Sequence, residues 1–275
     1  MHMKINPTMN RAKMTFTINN ELQKIYKEYK IFINNDNLPQ FFTNTFNAFE
    51  KHTSTEAFIR YEGNRYVFHI EQDKLILCPE TIKSLAFHEF THIWDDCTFL
   101  QELPYNERKR LTRWFTEYHA TQLEMMCACE FSSLESTKSL NNDTIIYKDN
   151  YPKRLKEYID SSYKGFIATI YTYIKDDCPP QNAVKIVLHS VYQQSECDFF
   201  KRYYNSFEYD KYQNACKVIC GEPFIELAHS FLDNNSTKDV QYFKYHNSLS
   251  TDIGMYIFKN QATIRDYITK EMQNI

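Results

Sequence analysis

Hydrophobic positions in this chain change period along its length, and the period predicts the element. Between residues 57 and 78 apolar and polar side chains alternate or gather in short runs, which predicts strands at Phe58–Tyr61, Tyr66–Ile70 and Lys74–Cys78. Gly63-Asn64 supplies a first two-residue turn compatible with type II′, and Gln72-Asp73 a second, so the strands read as a small antiparallel meander. Ahead of it, Met14–Ile18 reads as a strand, Glu21–Tyr29 as a helix of mixed charge, and Gln40–Phe49 as a second helix after Pro39.

Beyond Cys78 the period becomes helical. Pro79 and Glu80 mark a helix start, and Ile82, Leu85, Ala86, Ile93 and Trp94 form its apolar stripe. A second amphipathic helix runs roughly from Asn106 to Phe131 through Leu111, Trp114, Phe115, Tyr118, Met125 and Cys129. Asn141-Asn142-Asp143 and Asp149-Asn150 mark a loop region, and Pro152 opens a helix that reaches about Ile174 and ends at Asp176–Pro180. Helical segments follow near Gln181–Asp198, Asp210–Cys220, Pro223–Leu232 and Gln261–Met272, punctuated by Gly221 and the polar Asp233–Thr237 turn. The expected class is therefore α+β. Residues 1–140 form a module of small sheet and paired helices, and residues 141–275 a mainly helical subdomain, with no internal repeat.

Composition supports a sizeable core, since 43% of the 275 residues are hydrophobic and 16% aromatic. A formal charge of −3 without a basic tract gives no electrostatic footprint for nucleic acid or an anionic membrane. With no long apolar run and no secretory leader pattern, a cytoplasmic location is the default expectation, although Met1-His2-Met3 leaves room for a leader removed from the natural chain. The cysteines, including Cys127-x-Cys129 and Cys216-x-x-x-Cys220, lack disulfide-framework or zinc-ribbon spacing and read as reduced, buried thiols. With four glycines and no phosphate-binding motif, nucleotide chemistry has no support. Oligomeric state has no sequence signal.

Chemistry concentrates at His88-Glu89-Phe90-Thr91-His92, an HExxH pentapeptide in the middle of the first long helical pattern. Imidazoles four residues apart stand one turn apart on one helix face and can reach the same ion. Glu89 lies near that face, where a carboxylate can take a proton from a metal-activated water. A histidine six residues after His92 is not available as third ligand, because Thr98 stands there. Glu117, in the middle of the next helix, is the better candidate, and Ala120 and Thr121 one turn on are small enough for close helix packing. Glu124 shares that face as a reserve ligand. His119 projects about 200° around the helix from Glu117 and is discounted. Glu102 reads as a surface charge. Asp95 is either a hydrogen-bond partner for a ligand imidazole or a solvated helix end. His69 reads as an ordinary strand side chain, and His189 and His229 as buried, hydrogen-bonded histidines. His246, flanked by Tyr245 and Asn247, is the first choice among them for an oxyanion stabiliser.

His88-Glu89-x-x-His92 followed by Glu117-x-x-Ala120-x-x-Leu123 resembles the gluzincin pattern, particularly the ImmA/IrrE-like metallopeptidases of bacteria and their phages. The resemblance covers about 45 residues. It implies a zincin-like sheet, Zn²⁺ held by His88, His92 and Glu117, and Glu89 as general base. Extended peptide or protein substrates would bind along an edge strand, for which Tyr66–Ile70 is one candidate, with a helical unit across the cleft. Thr121 departs from the thermolysin-like branch, which carries an acidic residue four positions after its third ligand. No downstream tyrosine or histidine matches a transition-state stabiliser. The expected function is zinc-dependent peptide-bond hydrolysis. The alternatives are a non-catalytic metal-binding or protein-interaction scaffold, for instance a regulatory partner of a phage or mobile-element repressor, and an unrelated helical interaction protein with an accidental HExxH.

Overall fold

The computed structural model describes residues 7–46, 57–71, 79–148, 151–175, 178–233 and 236–274. Two units emerge from the pattern of contacts. The first joins Met1–Cys97 to Leu123–Ser136 and Tyr147–Pro152, and the second joins Thr98–Gln122 to Thr137–Ile146 and Lys153–Ile275.

The first unit opens with helix α1 (Pro7–Phe32), which overturns the strand expected at Met14–Ile18. Alternating Met14, Phe16 and Ile18 imitate a strand, yet Ile18, Leu22, Ile25, Tyr26, Tyr29 and Phe32 are all buried at helical spacing, so Ile18 is in phase with the later turns of the helix. Strand β1 (Phe41–Phe46) replaces the helix expected from Gln40; residues 47–49 lie outside the described residues. Its aromatic and β-branched side chains favour extended backbone. Polar groups of α1 hold it, with Gln23 donating to the Phe41 carbonyl and Thr43 to Asn19 Oδ1.

Strands β2 (Ala57–Glu62) and β3 (Arg65–Glu71) form the expected hairpin. Gly63 and Asn64 both have positive φ, 55° and 63°, which makes the turn type I′ rather than II′. The sheet order is β1-β3-β2, with β1 parallel to β3, so the sheet is mixed and not an antiparallel meander. The strand expected at Lys74–Cys78, its Gln72-Asp73 turn and the Asp149-Asn150 loop lie outside the described residues. Strand β3 is central, paired on both sides, which overturns Tyr66–Ile70 as a candidate edge strand, and it is buried from Tyr66 to Ile70.

Helix α2 (Pro79–Thr98) packs on this sheet and on α1 through aromatic rings. Phe87 meets Tyr29 and Phe32 edge-on, and Phe90 lies against Tyr26, Phe41 and Phe68 at centroid distances of 4.6–5.5 Å. Tyr29 donates its hydroxyl to Thr91 Oγ1 at 3.1 Å, pinning α1 to α2. Helix α3 (Tyr105–Ala128) is one continuous element whose last turns, from Leu123, belong to this unit.

In the second unit β4 (Ile145–Ile146) and β5 (Lys153–Arg154) form a two-stranded ribbon before α4 (Leu155–Ile174), α5 (Pro180–Tyr203), α6 (Tyr209–Cys220), α7 (Glu222–Leu232), α8 (Val240–Lys259) and α9 (Gln261–Asn274). Helix α5 packs against α4, α6 and α8, and from Ser190 to Phe200 every residue is buried except half-buried Tyr192. Its polar run Gln193–Asp198 is buried too, and Asp198 accepts from Tyr118, Tyr209 and Gln194 at 2.8–2.9 Å. Helix α8 was not anticipated from the sequence. Its signals were an Asp239 N-cap, accepting from the Gln241 and Tyr242 amides, and buried Phe243, His246, Leu249, Ile253 and Ile257.

Because Gly63 occupies left-handed backbone, Gly63→Val is expected to destabilise the first unit by about 1–2 kcal/mol. Urea unfolding of the two proteins, compared at equal slope, checks this.

Candidate metal centre

The aromatic packing of Phe87 and Phe90 fixes the rotation of α2, and the intervening and following positions then carry His88, Glu89 and His92. His88 and His92 stand one turn apart with ring centroids 5.0 Å apart. Both are half-buried, as is Glu117 on α3. One ligand atom from each of His88, His92 and Glu117 can be chosen so that all lie within 4.8 Å of one another, and the group can hold a metal ion. Among the described residues no other group of three such side chains meets this test.

Glu124, two turns after Glu117 on the same helix, is not a ligand in this arrangement. Its Oε2 lies 3.1 Å from His88 Nδ1 and 3.2 Å from Lys148 Nζ. Burial alone would raise the Glu124 carboxyl, but Lys148 and His88 outweigh it and hold the pKa below the ordinary value. An ionised carboxylate only accepts, so His88 Nδ1 carries the donated proton and Nε2 is the nitrogen whose lone pair suits a metal. Glu124 therefore does what the sequence reading considered for Asp95. Asp95 itself is buried, at 1% exposure, which removes the solvated helix end. Its neighbour Asp96 accepts from the Tyr66 hydroxyl.

Glu89 is buried, and its Oε2 accepts the main-chain N–H of Ile59 in β2 at 2.8 Å. On α3, Glu117 Oε2 accepts the hydroxyl of Tyr192 at 2.8 Å. Tyr192 was not identified in the sequence. Seventy-five positions separate it from Glu117, and nothing local distinguishes it from the other tyrosines.

The remaining candidates are accounted for by local contacts. His69 is stacked on Phe58 and bonded through its two nitrogens to Asn44 and Glu62, a strand side chain as expected. His119 lies against Phe115 on α3, and Glu102 is exposed. His189 stacks on Tyr173, and burial with nearby Lys185 pushes its pKa down. His229 is exposed rather than buried, a correction to the reading of its apolar run. His246 is fully buried, not polar in setting: Tyr242, Phe231 and Phe243 surround it and its Nε2 lies 2.8 Å from Ser230 Oγ. An imidazole so enclosed is a core group, and the oxyanion role considered for it falls. The described cysteines form no disulfide, and Cys78 lies outside the described residues. Among the described residues no helix is long and apolar enough to cross a membrane.

Comparison with protein-family models, with curated proteins and with solved structures finds no match. The fold and the site therefore define an α+β chain with a His-His-Glu group capable of holding a metal ion.

Two outcomes are expected from this geometry. Glu124→Ala removes the acceptor that orients His88 and should weaken metal binding about 10- to 100-fold, read by competition with a chromophoric chelator. For His246, burial first and Lys238 second lower the pKa from 6.5 to about 4. The folded chain then binds fewer protons than the unfolded one between those values. Stability contributed by neutral His246 is full above the upper value and lost as pH falls through the window, by at most about 1.4 kcal/mol per pH unit. Urea unfolding above and below the window should show a steeper acid loss for wild type than for His246→Gln.

Proposed function

We propose that this protein is a zinc-dependent metallopeptidase of gluzincin type. The observation that carries the reading is the convergence of His88, His92 and Glu117 on one position, with Glu89 on the same helix as the two histidines. Two neutral imidazoles and one carboxylate suit Zn²⁺, and three protein ligands leave a position open, unlike a closed structural site. When bound, zinc supplies a Lewis acid that polarises a carbonyl and lowers the pKa of water. The chain's own contribution is the placement of bases and donors. Glu89 takes the proton of the attacking water and passes it to the leaving amine. Glu124 holds His88 in the tautomer that presents Nε2, and Tyr192 orients the Glu117 carboxylate. The substrate class consistent with this chemistry is a peptide or protein.

Elemental analysis of protein purified without added metal should find about one zinc per chain in the wild type, and His88→Ala and Glu117→Ala should lose it. Glu89→Gln should keep zinc but lower cleavage of a fluorogenic peptide library about 100-fold or more. Retained cleavage in Glu89→Gln, or a wild type that takes up no zinc when supplied, would overturn the proposal. Zinc without cleavage in any protein would instead favour a metal-binding scaffold.

A further inference from the structure

The bond from Ile59 to Glu89 is unusual in its origin, because its donor is a main-chain group of a sheet edge. In the order β1-β3-β2, strand β2 is an edge among the described residues. The two-residue turn at Gly63-Asn64 is closed by Glu62 opposite Arg65, and such turns close on a hydrogen-bonded pair. Pairs then alternate along an antiparallel ladder, so Arg60 opposite Val67 is a bonded pair and Ile59 opposite Phe68 is not. The Ile59 N–H therefore points away from β3, out of the sheet, and it ends on Glu89 Oε2 at 2.8 Å. Glu89 itself is 6% exposed and Ile59 8% exposed, so this bond is shielded from water.

We infer that the main-chain N–H of Ile59 is a positioning group for Glu89, fixing the carboxylate of the HExxH helix against the sheet edge. The inference rests on the reading of Glu89 as the base, and it deepens that reading by naming what holds the base in place. A glutamate has three rotatable side-chain bonds, and a base displaced by about 1 Å loses much of its effect. One oxygen anchored by a rigid strand removes that freedom, and the ladder with β3 keeps the strand in register. The dependence also explains why the hairpin matters to the site: a slip of one residue would turn the Ile59 amide into the sheet and remove the anchor.

Proline at position 59 offers a test, because it removes the outward N–H at a place where an edge strand tolerates proline, although it also trims a buried side chain, which is why the exchange comparison stands beside it. In the zinc-loaded protein, amide hydrogen exchange at Ile59 should be about tenfold or more slower in wild type than in Glu89→Ala, with the inward amides of β2 unchanged. Ile59→Pro should retain zinc and secondary structure, lower kcat on a peptide cleaved by the wild type by between about tenfold and a hundredfold, and leave KM near the wild-type value. Ile59→Val, which restores the N–H, should recover kcat. Exchange at Ile59 that ignores Glu89→Ala would overturn the inference, as would an Ile59→Pro protein that cleaves as fast as Ile59→Val. Should Ile59→Pro fail to fold, the exchange comparison alone decides. Should exchange respond while wild type cleaves nothing, the anchor stands and the peptidase reading falls.

Discussion

Phe87 and Phe90 set the rotation of helix α2, and the placement of His88, Glu89 and His92 in the candidate metal centre depends on that angle. Each residue turns the helix by about 100°, so a helix fixed by its apolar face has no choice about where its other positions point. The rings of Tyr26, Tyr29, Phe32, Phe41 and Phe68 receive these two phenylalanines from α1 and the sheet. The Tyr29–Thr91 hydrogen bond adds a directional restraint to packing that is otherwise permissive. His88 and His92 then share a face, while Glu89, one position on, reaches the edge of β2. A volume change at either phenylalanine would be felt at the site without touching a ligand.

Much of this was legible because it is local. The HExxH spacing and the Pro79 start specify two imidazoles on one helical face, and α3 is read from its own stripe, so Glu117 follows from small residues one turn on. Errors came where one period imitates another. Met14–Ile18 alternates like a strand but belongs to α1, since the burial of Ile18 in phase with Leu22 and Ile25 is decided by tertiary packing. Phe41–Phe46 looked like a helix after Pro39 and became a strand because β3 needed a partner on its second side. Helix α8 was hidden by its own hydroxyl and amide side chains, which dilute the apolar stripe to one residue per turn. Tyr192 and the Ile59 amide escaped for different reasons: the first is distant in sequence from Glu117, and the second is a main-chain group with no letter of its own.

Helix α5 shows the same limit from the other side. Gln193 to Asp198 is a mostly polar run, yet all six residues are buried. The carboxylates find donors within the second unit, where Glu196 accepts from Tyr158 and Ser162 and Asp198 from two phenols and an amide, while Gln194 Oε1 stays buried without a hydrogen bond. Burial raises the Asp198 carboxyl even so, the three donors and Lys201 only partly offsetting it. Such a network trades stability for a single register of packing, since an apolar helix could slide and this one cannot without orphaning its donors. Tyr192 projects from this same helix, so the register of α5 also fixes where its hydroxyl meets Glu117.

Three carboxylates near the candidate centre accept hydrogen bonds that fix their orientation. Glu124 is bonded to a lysine as well as to His88, so its negative charge is partly balanced before any metal arrives. Glu89 and Glu117 receive hydrogen bonds from neutral donors, an amide and a phenol. With two imidazoles and one carboxylate as ligands, a divalent ion held there would keep a net positive charge. A second carboxylate in direct contact would lower that charge. Tying Glu124 to Lys148 and to His88 Nδ1 keeps that carboxylate one bond further out, where it still orients the imidazole but does not neutralise the ion.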